Sequence, residues 1–280
     1  MGGIRVKLRL ESVAVAAGFA LAATACSRGG ADPVAFKWTT PLPAGSVLHF
    51  RNGSGGIEVR PTAGPNVTVL GGSRWKRGHS GDVRFVVTQA GKDYYICAMW
   101  RNSGRCGERG YRGKNTGGLL TMFSLFHRTT DAVAQIVADV PPGVTVDART
   151  STGSVKVYGS TAGVTAHSVN GNVTVFDVSG PMNLSTTNGN VELSADSLAD
   201  ADSIRLTTTN GGIHAELPAT LQGNFDLSTV NGSVHSDLPI SGTPRRGRLQ
   251  GQIGSSPRVV RMRAVNGTVT VVAHPAAGSH

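Results

Sequence analysis

Cysteine is nearly absent from this sequence, with three in 280 residues. Cys97 and Cys106, the two that follow the first 26 residues, are too few for a zinc site and are not spaced as Cys-x-x-Cys, which speaks against a dithiol redox motif. No amphipathic helix stands out after residue 26, and no apolar run is long enough to span a membrane comfortably. A Ser-nucleophile motif, a phosphate-cradling glycine loop and a Cys/His pair are all missing, so the common hydrolase, nucleotide-binding and thiol-enzyme classes find no support. What the sequence has in excess is glycine, 38 residues, among abundant Val, Thr and Ser, a composition that favours turns and strands.

Those glycines are spaced. Asn170-Gly171, Asn188-Gly189, Asn210-Gly211, Asn231-Gly232 and Asn266-Gly267 repeat one dipeptide, with Thr152-Gly153 as a variant and Asn52-Gly53 as an outlying early copy. Asn-Gly alone would suggest a hairpin, because it readily supplies the positive φ of a tight turn. From Gly153 the steps are 18, 18, 22, 21 and 35 residues, and a near-fixed period of this size marks a repeat architecture. The residues six, four and two before each glycine's predecessor run large, apolar, then small, as in Val164/Ala166/Ser168 and Ile204/Leu206/Thr208. Those three and five after it are again mostly apolar, as in Val173/Val175 and Ile213/Ala215. A spacing of two is one face of a strand, so each repeat is two short half-buried strands joined by Asn-Gly. Such a unit cannot bury its own apolar face, but stacked copies can cover one another. The sequence therefore predicts an all-β, single-stranded β-solenoid of about 18–22 residues per coil, with two short strands per coil. The alternative is a β-sandwich of hairpins.

The N-terminus reads as an address. Arg5, Lys7 and Arg9, then the short apolar run Val13 to Ala23, predict a signal peptide over 1–25, followed by a tether or linker over 26–40 and one solenoid domain over 41–280. LAATAC resembles a bacterial lipoprotein cleavage box, which would make Cys26 the lipid-bearing first residue and the protein a membrane-anchored lipoprotein of the cell envelope. Ala23-Thr24-Ala25 also suits ordinary cleavage, which would leave a soluble periplasmic or secreted protein. Outside the cytoplasm Cys97 and Cys106 are expected to pair, with a stabilisation of about 2–3 kcal/mol through the unfolded chain's entropy.

Residues 72–128 interrupt the repeats as a basic, Cys-containing insert, with eleven Lys or Arg against three acidic residues. Its aromatics lie among these charges. Trp100, Arg101, Arg105, Arg109, Tyr111, Arg112 and Lys114 are candidate contacts for an anionic envelope polymer, a glycan or a protein partner. The other reading is that the aromatics cap the solenoid and the charges are solvated. The apolar stretch Gly117 to Phe126 is expected to pack on the core. Behind an export signal nucleic acid is not an expected partner, and no cofactor is expected. A second basic cluster, Arg245, Arg246, Arg248, Arg258, Arg261 and Arg263, sits in and after the insertion Pro239 to Pro257.

The Asn-Gly-x-Val-x-Val repeats, with Val137 to Gly159, resemble the bacterial candidate-adhesin family defined as a domain of unknown function of the 4097 type, over roughly Ser46 to Val272. The resemblance implies a Gly/Asn-punctuated β-repeat fold and suggests adhesion; it brings no catalytic residues.

Stacking successive coils in sequence order would place outward residues in ladders about 4.8 Å apart. His214, His235, Glu192, Glu216 and Asp237 would then share one face, a mixed set of the kind that holds Zn²⁺ or performs acid/base chemistry. Two function classes follow. One is a non-enzymatic, adhesin-like or scaffolding envelope protein; the other is a polysaccharide-acting or metal-dependent enzyme using that face. The bland reading of the five is solvent-exposed polar residues. The asparagines are expected to stack at one corner, building the fold.

Overall fold

The computed structural model describes residues 30–76, 80–100, 106–107, 131–159, 162–195, 198–199 and 202–274. Its strands in chain order begin with β1 (Gly30–Pro41), β2 (Val47–Ser54), β3 (Ile57–Pro61), β4 (Asn66–Trp75), β5 (Val83–Ala90), β6 (Asp93–Trp100) and β7 (Val133–Val140). The regular repeat follows as β8 (Thr145–Thr152) with β9 (Val155–Tyr158), and β10 (Val164–Asn170) with β11 (Val173–Phe176). It continues as β12 (Met182–Asn188) with β13 (Val191–Ser194), and β14 (Ile204–Asn210) with β15 (Ile213–Pro218). Then come β16 (Gly223–Asn231) with β17 (Val234–Ser236), the hairpin of β18 (Ser241–Arg245) and β19 (Arg248–Ile253), and finally β20 (Val259–Asn266) with β21 (Val269–His274).

The two strands flanking each Asn-Gly do not pair with each other. The first enters sheet B, ordered β18-β19-β16-β20-β14-β12-β10-β8-β2-β6-β5, and the second enters sheet A, ordered β1-β4-β7-β3-β9-β11-β13-β15-β21-β17. Along the repeats the neighbours are parallel and in register, Val164 beside Met182 and Val173 beside Val191. Hairpins would have made them antiparallel, so the fold is the β-solenoid and not the sandwich of hairpins. The core lies between the sheets, where the residues picked out by the spacing of two, from Val146 to Met262 in sheet B and from Val155 to Val271 in sheet A, are buried. The exceptions are Val234 and Ser236, half-buried because β17 ends sheet A.

The corner explains the glycine. Gly189 has φ 154°, and a Cβ there would run into the carbonyl of Gly171 in the coil beneath. Its N–H donates to Asn210 O at 2.9 Å, so coils meet backbone to backbone at this point. The first early corner is Ser54-Gly55, not Asn52-Gly53: Ser54 aligns with Thr152, and Gly55 has φ 119°. Asn52 instead turns inward and donates to Ala134 O at 2.9 Å. The small residue two before the corner is small for a second reason that spacing did not reveal. Thr150, Ser168, Thr186, Thr208 and Thr229 each donate a hydroxyl to the carbonyl of a corner glycine in a neighbouring coil, at 2.7–2.9 Å.

The asparagines stack as expected. Asn188 donates to Asn170, Asn210 to Asn188, Asn266 to Asn210 and Asn231 to Asn266, each at 2.8 Å. Asn188→Ala removes one donated and one accepted bond and should cost about 1–2 kcal/mol. A thermal melt lowered by a few degrees, with ligand binding unchanged, is the expected result.

The same ladder shows that the coils do not stack in sequence order. The last coil, β20 with β21, lies between β14/β15 and β16/β17, with Met262 flanked by Leu206 and Leu227. The opposite end repeats the device, since β6 lies outside β2 in sheet B and β7 lies outside β3 in sheet A. Antiparallel strands then cover the ends: β5 on β6, β4 on β7 and β19 on β16. The stretch expected as linker up to residue 40 is strand from Gly30 onward, paired with β4.

Candidate functional site

Cys97 and Cys106 form a disulfide, with Cα atoms 5.8 Å apart. It ties residue 106 back over β5 and β6, where the Cys106 sulfur lies 3.5 Å from Tyr95 O. Of the candidate contacts in the basic insert, Trp100 is half-buried against the core and its indole N–H donates to Ala132 O at 3.0 Å. Arg101, Arg105, Arg109, Tyr111, Arg112 and Lys114 lie outside the described residues, as do Gly117 to Phe126 and Cys26.

The His/carboxylate set on the outside of sheet A is separated by the threaded coil. The register runs Glu192, His214, Thr270, His235, so Thr270 stands between the two histidines. His214 reaches Glu216 at 3.4 Å, whereas His235 bonds Ser233 at 3.0 Å. Asp237 follows β17, its backbone N–H donating to Val271 O at 3.0 Å. Among the described residues no three His, Cys, Asp or Glu are close enough to hold one ion. Sequence-order stacking was the assumption that brought the five together, and the observed coil order removes it.

The outside of sheet B carries a different pattern, at the positions five and three residues before each corner, which the outward ladder after the corner does not include. One row reads Asp147, Thr165, Asn183, Arg205, Arg261, Asp226, Gln250, and the next Arg149, His167, Ser185, Thr207, Arg263, Ser228, Arg248. From β8 to β19 these rows hold five arginines against two aspartates. The signal was present in the sequence, since the same alignment that located the core also fixes the residues between.

At the β8 end the charges are consumed internally. Asp147 is buried and takes hydrogen bonds from Arg51, from His49 at 2.9 Å and from Arg149 at 2.9 Å, with His49 stacked on Tyr95. Burial would push its carboxyl up, but the bonds from His49 and Arg51 and the charges of Arg51 and Arg149 hold it well below the ordinary value of 3.8. A depressed carboxyl stabilises the fold above its unfolded pKa, and that contribution disappears as pH falls through the lower folded value. Urea midpoints of the wild type should therefore be level above about pH 5 and fall below about pH 4. Asp147→Asn should lose roughly 2 kcal/mol at neutral pH and show a flatter acid limb. Next along the row, His167 bonds Ser185 Oγ at 2.9 Å; burial and then the charge of Arg149 push the imidazole down, which favours its neutral form.

At the β19 end the arrangement is open. Asp226 receives Arg248 at 3.0 Å, Arg263 at 3.3 Å and the edge of Arg261 at 3.5 Å. Burial would raise this carboxyl, but Arg263 and Arg248 hold it low. Arg258, from the same sequence cluster, is structural: buried, it donates to the carbonyls of Gln222, Leu198 and Ala199 at 2.8–3.0 Å. One carboxylate accepts at about four sites while three guanidiniums offer about fifteen N–H donors, so donor capacity remains for an outside acceptor.

Comparison with known proteins adds the following. The profile of the family described as Toastrack DUF4097 matches residues 124–272. The fold is similar to that of a candidate cell adhesion protein from Clostridium sporogenes, 12% identical with a TM-score of 0.44, covering 85% of this chain and 99% of that one. It is also similar to a candidate adhesin from Bacteroides fragilis, 10% identical with a TM-score of 0.37, covering 85% and 96%. A candidate adhesin from Parabacteroides distasonis is 9% identical with a TM-score of 0.23, covering 88% and 98%. No curated protein matches the chain.

Proposed function

The chain belongs to the Toastrack DUF4097 family, and from that starting point we propose that it is a non-enzymatic protein of the cell exterior whose rigid solenoid displays a cationic sheet face to anionic polymers of the envelope. The observation that carries this reading is the pair of outward rows on sheet B, where Arg205, Arg248, Arg261 and Arg263 repeat across in-register strands with Asp226 as the one carboxylate among them. Neighbouring strands hold Arg205 beside Arg261, about 4.8 Å apart, and Arg248 two strands from Arg263, a rigid array suited to a polymer that repeats its charge. The export signal over 1–25 and a lipid on Cys26 would hold this face outside the membrane, and the paired cysteines suit an oxidising compartment. The basic residues of the insert, from Arg101 to Lys114, are further candidate contacts for the same anionic polymer.

The test is binding to immobilised polyanions at about 50 and 200 mM salt. Wild type should bind in a salt-sensitive manner, and Arg205→Glu/Arg263→Glu should weaken it about tenfold or more. Binding that ignores both salt and the double charge reversal would refute the proposal.

A further inference from the structure

The open end of sheet B has more than charge. A groove of about 450 Å³ lies where the β18–β19 hairpin continues the sheet beyond β16, lined by Asn224, Asp226, Ser241, Gln250, Gln252, Val259 and Arg261 among others. Its size falls in the range of small-ligand sites. Two cross-strand pairs meet there, the amides Asn224 and Gln252 and the carboxylate Asp226 beside the amide Gln250, with Ser241 opposite Gln252 on the far strand. Asn224, Ser241, Gln250 and Gln252 are exposed, and Val259 is 42% exposed at the rim. Gln252 donates its amide to Gly254 O at 2.8 Å, which fixes the side chain and leaves its carbonyl oxygen as an acceptor. Arg261 lines the same groove, its buried Nε set 3.5 Å from Asp226 Oδ2.

We infer that this groove is a saccharide subsite that reads a carboxylate-bearing sugar, a uronate unit of an acidic polysaccharide. The chemistry separates this ligand from a merely charged one. A phosphate chain would be met by cations alone, whereas here three amides and a hydroxyl surround the cations. Amides donate and accept in one plane and match vicinal sugar hydroxyls, which are both donors and acceptors. The carboxylate of the uronate meets the guanidinium donors that Asp226 leaves unused, Arg261 first, in the fork geometry that suits a carboxylate. Val259 offers an apolar contact for the ring's C–H face. Asp226 is the orienting counter-charge: its bonds to Arg248 and Arg263 hold those side chains over the sheet.

The inference rests on the proposed polyanion-binding face, and the experiment separates the two. Calorimetry would compare an oligogalacturonate, the same oligomer with its carboxyls reduced to alcohols, and polyphosphate of matched charge, each against wild type, Gln250→Ala/Gln252→Ala and Arg261→Gln. The glutamines are exposed, so the double variant should melt with wild type, which a thermal scan checks. Expected is tighter binding of the uronate oligomer than of the other two. The glutamine variant should weaken the uronate about tenfold and leave polyphosphate unchanged, and Arg261→Gln should weaken both. Equal affinity for uronate and polyphosphate, or a uronate preference that survives the glutamine variant, overturns the subsite while leaving the cationic face standing. No binding of any anion overturns both.

Discussion

Gly189→Ala should lower stability by about 3–5 kcal/mol and the melting temperature by roughly 10 °C, a larger loss than any single exposed side chain of the solenoid can produce. Two costs combine. The residue sits at φ 154°, where an L side chain is strained. The new Cβ also meets the carbonyl of Gly171, a backbone atom that cannot turn aside. The coils would have to separate locally, stretching the bonds from Gly171 N–H to Asn188 O and from Gly189 N–H to Asn210 O, both 2.9 Å. The control is Gly64→Ala, where a Cβ meets nothing within 4 Å and φ is not in the glycine-favouring region; that variant should melt within about a degree of wild type. Equal melting curves for the two variants would mean that the corner is looser than its geometry indicates.

Removing residues 259–280 should do more than shorten the solenoid. The deletion takes out β20 and β21, and with them the buried side chains of Val260, Met262, Val269 and Val271. Each contributes about 1.5–3 kcal/mol by burial, a sum comparable with the whole net stability of a domain. Because that coil is the solenoid-side neighbour of β16 and β17, Phe225 and Leu227 lose their cover, and Leu206 loses its own on the opposite side. Limited proteolysis with mass spectrometry should find cleavage throughout 223–253 while residues 131–159 and 162–195 remain protected. A deletion product as resistant in 223–253 as the full chain would show that β16 can re-dock directly on β14.

The parts of this fold that were legible in the sequence are those set by local spacing. The period of two around each corner named the core from Val146 to Met262, and Asn-Gly named the corner, because both depend on contacts within a coil or between equivalent positions. The order of coils depends on which of several near-identical edges pair, and Leu206 can sit beside Met262 or Leu227 with little local difference. Only the longer connection through Pro239 to Pro257 hinted at a different path, and it read as a simple insertion. The His/carboxylate face departs from expectation for that reason: repeat order along the chain puts His214 next to His235, and the threaded coil sets Thr270 between them. Arg205 and Asp226 were equally visible in the alignment, but as outward residues of the first strand they fell between the positions chosen for the core. Ala264 shows the limit of the small-residue rule, since it fills the slot that carries a hydroxyl in Thr208 and Thr229 and makes no such bond.

The threaded coil also sets an order in time. A chain delivered from its N-terminus would place β8 through β15 as each coil appeared, every one finding its predecessor already formed. β16 and β17 would appear next with their eventual neighbour still to come, and the β18–β19 hairpin would follow. Only the arrival of residues 259–274 supplies the coil that seats both, so the cap, and with it the arginines gathered around Asp226, cannot be complete before those residues are made. A chain stopped short of that point carries the solenoid but not the completed face.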